Sequence, residues 1–195
     1  FIGVGILILI FMAYQVVRVY RLIQVSKNLV DQTEAFSVSP DESKETFLII
    51  GDSLSVGVGA SHPTSSIAGR LSQDHPNARL INRSVSGMKI SGGLEVARSL
   101  AKGERFDIIF IQLGANDVVR FTSLKKASED LRSLLELLKV HTEKIVYFSS
   151  GSLGSAPLFP HPVDWIYAVR SKYYYKRLQS VAEEIGVSYV DLYVP

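Results

Sequence analysis

Phe47-Leu48-Ile49-Ile50-Gly51-Asp52-Ser53-Leu54-Ser55-Val56-Gly57-Val58-Gly59-Ala60 is the stretch whose reading decides the fold. Its first four residues are an apolar run of strand length, as expected of a strand buried on both faces. A glycine, an acid, a serine and further small residues follow. A serine just past such a strand stands where an open α/β sheet meets its ligands, in the crevice outside the carboxyl ends of the strands.

Working outward, four more short runs rich in β-branched and aromatic residues predict strands at 79–82, 107–112, 144–149 and 187–191, besides the first at 46–50. Helical stretches alternate with them at 65–74, 91–102, 123–141 and 164–185. The third is the clearest: Leu124, Ala127, Leu131, Leu134, Leu135 and Leu138 fall three and four apart and make one apolar face. In the fourth, the tyrosine cluster around Tyr173 and Tyr174 reads as core and rim packing. Strands alternating with helices imply βαβ units and a mainly parallel sheet. We expect an α/β, three-layer α/β/α, flavodoxin-like arrangement with a five-stranded sheet in the order 2-1-3-4-5. In that order the first and third strands are neighbours, so the loops after Ile50 and Gln112 open at one switch point.

The loop after strand 2 reads Asn82-Arg83-Ser84-Val85-Ser86-Gly87, and the loop after strand 3 reads Leu113-Gly114-Ala115-Asn116-Asp117. Each alone consists of ordinary turn residues. Together with Gly51-Asp52-Ser53-Leu54, at three successive strand ends and in this order, they resemble the blocks of the SGNH, or GDSL, hydrolases. That family carries a serine in a GDS(L) block, a glycine in N-x-x-x-x-G, an asparagine in G-x-N-D, and a late D-x-x-H. The resemblance spans about residues 46 to 191. It implies the SGNH hydrolase fold and ester hydrolysis without a cofactor.

What the resemblance implies for each residue is chemically reasonable. Ser53 is expected as the nucleophile that takes the acyl group. The backbone N–H groups of Ser53 and Gly87 and the side-chain amide of Asn116 are expected to hold the oxyanion, each such donor being worth about 3 kcal/mol. Gly87 suits this role because, without a Cβ, its backbone approaches a substrate closely. Asp52, Asn82, Gly114 and Asp117 are expected to brace the loops rather than exchange protons.

A serine needs a general base, and here the sequence departs from the family's pattern. None of His62, His75, His141 and His161 has an aspartate three residues before it. His161 lies in the loop after strand 4, on the catalytic edge, and reads as a solvated loop histidine. The catalytic His and Asp of D-x-x-H are therefore expected beyond Pro195, and Asp191 comes too early to serve. Both ends of the sequence look cut, at Phe1 and at Pro195. The Gly/Ser-rich stretch 149–156 is expected to be mobile.

The N-terminus carries a second message. Residues 1–17 are apolar except for Gln15, and as a helix they reach roughly 25 Å, a little short of the roughly 30 Å hydrocarbon core. Arg18 can snorkel, and Tyr14 and Tyr20 fall at interfacial depth. No small-x-small cleavage site follows, which favours a single-pass membrane anchor over the core of a signal peptide or a buried helix. Arg18, Arg21 and Lys27 precede the first acid, Asp31, but charges upstream of Phe1 bear on topology too, so the side of the membrane stays open. We therefore expect a transmembrane helix at 1–24, a polar linker at 25–45 and the hydrolase domain at 46–195.

The remaining totals exclude more than they assign. The 195 residues have a net charge of +2 with scattered basic residues, which gives no nucleic-acid footprint. There is no cysteine, so disulfides and thiolate chemistry are excluded. No His or carboxylate set has metal-ligand spacing. Gly57-Val58-Gly59 fails as a dinucleotide fingerprint, because the third glycine position is His62. The expected substrate is a small-molecule or lipid acyl ester such as a lysophospholipid. The alternatives are a carbohydrate O-acetyl ester or, in another class, a non-catalytic binding module of the same fold. Oligomeric state is not legible.

Overall fold

The computed structural model describes residues 2–192. Five parallel strands form one sheet in the order β2-β1-β3-β4-β5, the order of the expected flavodoxin-like arrangement. They are β1 (Glu45–Gly51), β2 (Ala78–Asn82), β3 (Ile108–Gln112), β4 (Ile145–Phe148) and β5 (Ser188–Val190). The helices are α1 (Ile2–Asp31), α2 (Ser53–Val56), α3 (Ile67–Asp74), α4 (Ile90–Arg98), α5 (Ala115–Val119), α6 (Leu124–Leu138) and α7 (Val163–Ile185).

β1 shows why its sequence is apolar throughout. Side chains alternate across a sheet, so Leu48 and Ile50 face one layer and Phe47 and Ile49 the other. Leu48 and Ile50 pack in the larger core, formed with α4, α6 and α7. Phe47 and Ile49 pack in a smaller one with Ala68 of α3, Leu80 and the segment Phe36–Val38. The α6 leucines behave as their spacing predicts: Leu131, Leu134, Leu135 and Leu138 are wholly buried. Truncating one of these to alanine costs about 2–5 kcal/mol. In α7, Tyr174 and Tyr175 enter the core, while Tyr173 points to solvent.

Three details differ from the sequence expectation. The helix expected at 91–102 ends at Arg98. Two short helices, α2 and α5, stand where only loops were expected. Ser149 and Ser150, expected to open a mobile stretch, are buried. Ser150 accepts a hydrogen bond from Gln112 at 2.7 Å, so the start of that loop is tied to the sheet.

α1 is one uninterrupted helix, with an apolar window of mean hydropathy 1.9, none of it buried in the protein. It is long and apolar enough to cross a membrane. Thirty residues reach about 45 Å, roughly 15 Å beyond the hydrocarbon thickness. Residues 25–31, at the start of the segment read as a polar linker, continue this helix. Beyond it, Val38 pairs antiparallel with Leu80 at the β2 edge.

Candidate active site

The glycine at the end of β1 is fixed by packing. A Cβ on Gly51 would lie 2.3 Å from Ser55 Oγ and 3.0 Å from the Gln112 carbonyl, so only glycine lets α2 fold back this closely. Asp52 is the N-cap of α2, its Oδ1 accepting from Leu54 N–H at 3.1 Å. Ser53 is therefore the first residue of a helix, half-buried at the carboxyl edge of the sheet. Gly57 closes that helix in the left-handed conformation, φ +98°.

Hydrogen bonds draw the neighbouring loops to this turn. Val85 N–H donates to Gly51 O at 3.1 Å, and the Asn82 amide donates to Ser55 O at 2.8 Å. These two bonds carry the loop after β2 up to α2. Gly87, in that loop, has φ +80°, a conformation that costs glycine little. From the other side, Asn116 Nδ2 donates to Asp52 Oδ2 at 3.4 Å. Asn116 lies in the first turn of α5, whose N-cap is Gly114 at φ +122°. Asp117, next in line, accepts from Ile90 N–H at 2.9 Å and so ties α5 to the start of α4. The sequence-selected residues of all three loops thus meet around one turn.

The donors left over are the chemically important ones. Among the described residues, the backbone N–H groups of Ser53 and Gly87 have no acceptor, and the Asn116 amide spends one of its two hydrogens on Asp52. Three hydrogen-bond donors with spare capacity, on adjacent loops beside a serine hydroxyl, can bind an oxyanion.

Beneath them lies a buried polar chain that sequence reasoning missed. Ser55 Oγ donates to Gln112 Oε1 at 3.3 Å, and the Gln112 amide donates to Ser150 Oγ at 2.7 Å. The partners are 38 to 57 residues apart, so no local spacing announces them; the one signal was a glutamine at the end of an otherwise apolar strand. Burial raises the Asp52 carboxyl from 3.8 to about 6; the hydrogen bonds from Leu54, Gln112 and Asn116 oppose that rise, and the nearby Asp117 charge adds to it. Burial likewise raises Asp117, against the hydrogen bonds from Ile90 and Thr122.

The histidines are committed elsewhere. His62 bonds Thr64, His75 lies 3.4 Å from Glu45, and buried His141 contacts the Glu104 carbonyl at 2.8 Å. His161, on the catalytic edge, pairs with Asp164 and is largely solvent-exposed. Asp191, just past β5, accepts from Ser149 Oγ at 3.4 Å.

The model of the GDSL-like Lipase/Acylhydrolase family matches residues 49–195, well over half of the chain. Esterase TesA of Pseudomonas aeruginosa is 28% identical over 105 residues, 52% of each chain. An arylesterase of Vibrio mimicus is 31% identical over 102 residues, 50% of each. The chain thus spans about half the length of the curated relatives it matches. Among solved structures, Axe2, an acetylxylan esterase from Geobacillus stearothermophilus, superposes with a TM-score of 0.59 at 21% identity over 76% of each chain. The psychrotrophic esterase EstA from Pseudoalteromonas sp. does so with a TM-score of 0.57 at 20% identity, over 76% of this chain and 78% of that one. At these identities the structural matches speak for the fold alone.

Proposed function

Because this chain belongs to the GDSL-like lipase/acylhydrolase family, we propose that it is a serine esterase that cleaves a carboxylic ester or thioester through an acyl-enzyme on Ser53. The supporting observation is the group of unspent donors beside that hydroxyl. Ser53 Oγ attacks the acyl carbonyl and gives its proton to a base, and the oxyanion is held by Ser53 N–H, Gly87 N–H and the Asn116 amide. Collapse of the tetrahedral intermediate breaks the bond to the leaving alcohol or thiol, and water then releases the acid. The family resemblance assigns the base to the histidine of a D-x-x-H block, a motif residues 1–195 do not contain. Asp52 acts as a positioning residue, holding Asn116 and capping the nucleophile's helix.

The same proposal takes α1 as a single-pass anchor and a lipid-derived acyl ester as the substrate. The length and exposure of the helix support the first part, and the second follows from placing the enzyme at its substrate. The test is hydrolysis of p-nitrophenyl esters from acetyl to palmitoyl by the full-length protein, with Ser53→Ala as control. The proposal expects turnover that rises with acyl length and is abolished in Ser53→Ala. Activity confined to acetyl esters points instead to carbohydrate O-deacetylation. Inactivity on every ester, with the D-x-x-H block present, removes the enzymatic reading and favours a binding module.

A further inference from the structure

α7 carries an apolar face that the core does not use. Trp165, Ile166, Val169 and Tyr173 point outward from its first eleven residues, and Phe121 and Leu124 extend the surface. Together with Tyr174 and Arg170, whose guanidinium lies over the Phe121 ring, they line an open hollow of about 410 Å³. Trp165, Tyr173 and Phe121 are 66%, 68% and 60% exposed. Beyond Tyr173 the outward face of the same helix turns polar, with Lys176, Arg177, Glu183 and Glu184 exposed. The apolar surface is therefore confined to one end of α7.

That end is the one next to α1. Arg18 donates to the Pro157 carbonyl at 2.9 Å, and Pro160 shares an apolar hollow with Val16, Val19, Tyr20 and Ile23. Pro160 stands three residues before α7 begins. Arg18 is also the first charge after the apolar run, the residue placed at the headgroup layer when α1 spans a bilayer. The loop before α7 is thus held at headgroup height. Asp31, about 20 Å further along the helix, borders the loop that follows the nucleophile's helix.

We propose that the apolar end of α7, with Phe121 and Leu124, docks into the surface of the bilayer that α1 crosses. The inference rests on the anchor reading above. Its occupant is lipid because the surface is continuous with the contact to the membrane helix. Its make-up also fits: a tryptophan and a tyrosine are residues of the interfacial belt, with aliphatic side chains between them. An aromatic row links it to the loop held against α1. Phe159 stacks on Tyr167 at 4.0 Å, and Tyr167 meets Phe121 at 5.8 Å, five residues after Asn116.

Trp165 is the only tryptophan, so its fluorescence reports this face directly. The full chain is reconstituted into phosphatidylcholine/phosphatidylglycerol vesicles, flotation is checked after an alkaline carbonate wash, and bromolipids and aqueous iodide are compared as quenchers. The proposal expects carbonate-resistant flotation and a blue-shifted Trp165 that iodide does not reach. Lipids brominated high in the acyl chain should quench it about twofold, consistent with burial at 5–10 Å depth. Ile166→Asp/Val169→Asp should still float but return Trp165 to water. Flotation with Trp165 quenched by iodide alone overturns the docking and leaves the anchor standing. A blue-shifted Trp165 untouched by bromolipid means a protein partner or a second copy covers the face, and also overturns it. Failure to float overturns the anchor reading and the docking with it.

Discussion

Asn116 Nδ2 donates to Asp52 Oδ2 at 3.4 Å, while the other oxygen of that carboxylate caps the helix that begins with Ser53. One buried side chain thus sets both the helix of the proposed nucleophile and the amide proposed to bind the oxyanion. The carboxylate is the right group, because it accepts on both oxygens and donates on neither when ionised.

Asp52→Asn keeps one acceptor and turns the other into a donor facing Asn116. kcat should fall about tenfold to a hundredfold, short of the 10²–10³ lost on deleting an oxyanion donor outright, with KM little changed. Steady-state kinetics on a p-nitrophenyl ester reads the split.

The same substitution has a pH signature. The folded carboxyl sits near 6, above its ordinary 3.8. Its contribution to stability is therefore fully present below about pH 4 and is lost as pH rises through 6. The loss amounts to about 3 kcal/mol at most. Urea denaturation at pH 4.5 and pH 7 should show a decline in the parent that is reduced in Asp52→Asn.

Gly87→Ala meets two obstacles. The residue has φ +80°, and the new Cβ would lie 3.0 Å from Arg120 Nη2. The arginine is an exposed, flexible side chain and can move, so the backbone is the main penalty, about 1–2 kcal/mol. Relaxing it turns the Gly87 N–H away from the site. Activity should fall more than stability does, which paired kinetic and melting measurements would reveal.

Gly51→Ala should be chiefly a stability defect, since its Cβ would collide with the buried Ser55 side chain. Overpacking of this kind costs about 1–3 kcal/mol. Ser55→Gly removes the colliding atoms, so the double variant should be more stable than the sum of the single losses predicts. A thermal-melt double-mutant cycle measures that coupling.

The frame of the molecule was readable because its signals are periodic or compositional. β1 announces itself by four consecutive apolar residues, α6 by leucines at helical spacing, and the parallel sheet by alternation of strand and helix, with 2-1-3-4-5 one of the orders that alternation allows. α2 and α5 are four and five residues long, too short for any period, and their only marks are the caps Asp52, Gly57 and Gly114. The Ser55–Gln112–Ser150 chain is set by strand pairing rather than local sequence. The apolar outer face of α7 was hidden for a related reason. Inward Tyr174 and Tyr175 and outward Trp165, Ile166 and Tyr173 mix along the helix, and only the packed structure separates the two faces.

The central claim is that Ser53 carries the acyl group. The most direct measurement is peptide mapping by mass spectrometry after the full-length protein reacts with a fluorophosphonate ester probe. The account predicts a single adduct on the peptide containing Ser53, formed in step with loss of hydrolysis and absent from Ser53→Ala. An adduct on another residue, or hydrolysis that survives in Ser53→Ala, contradicts it.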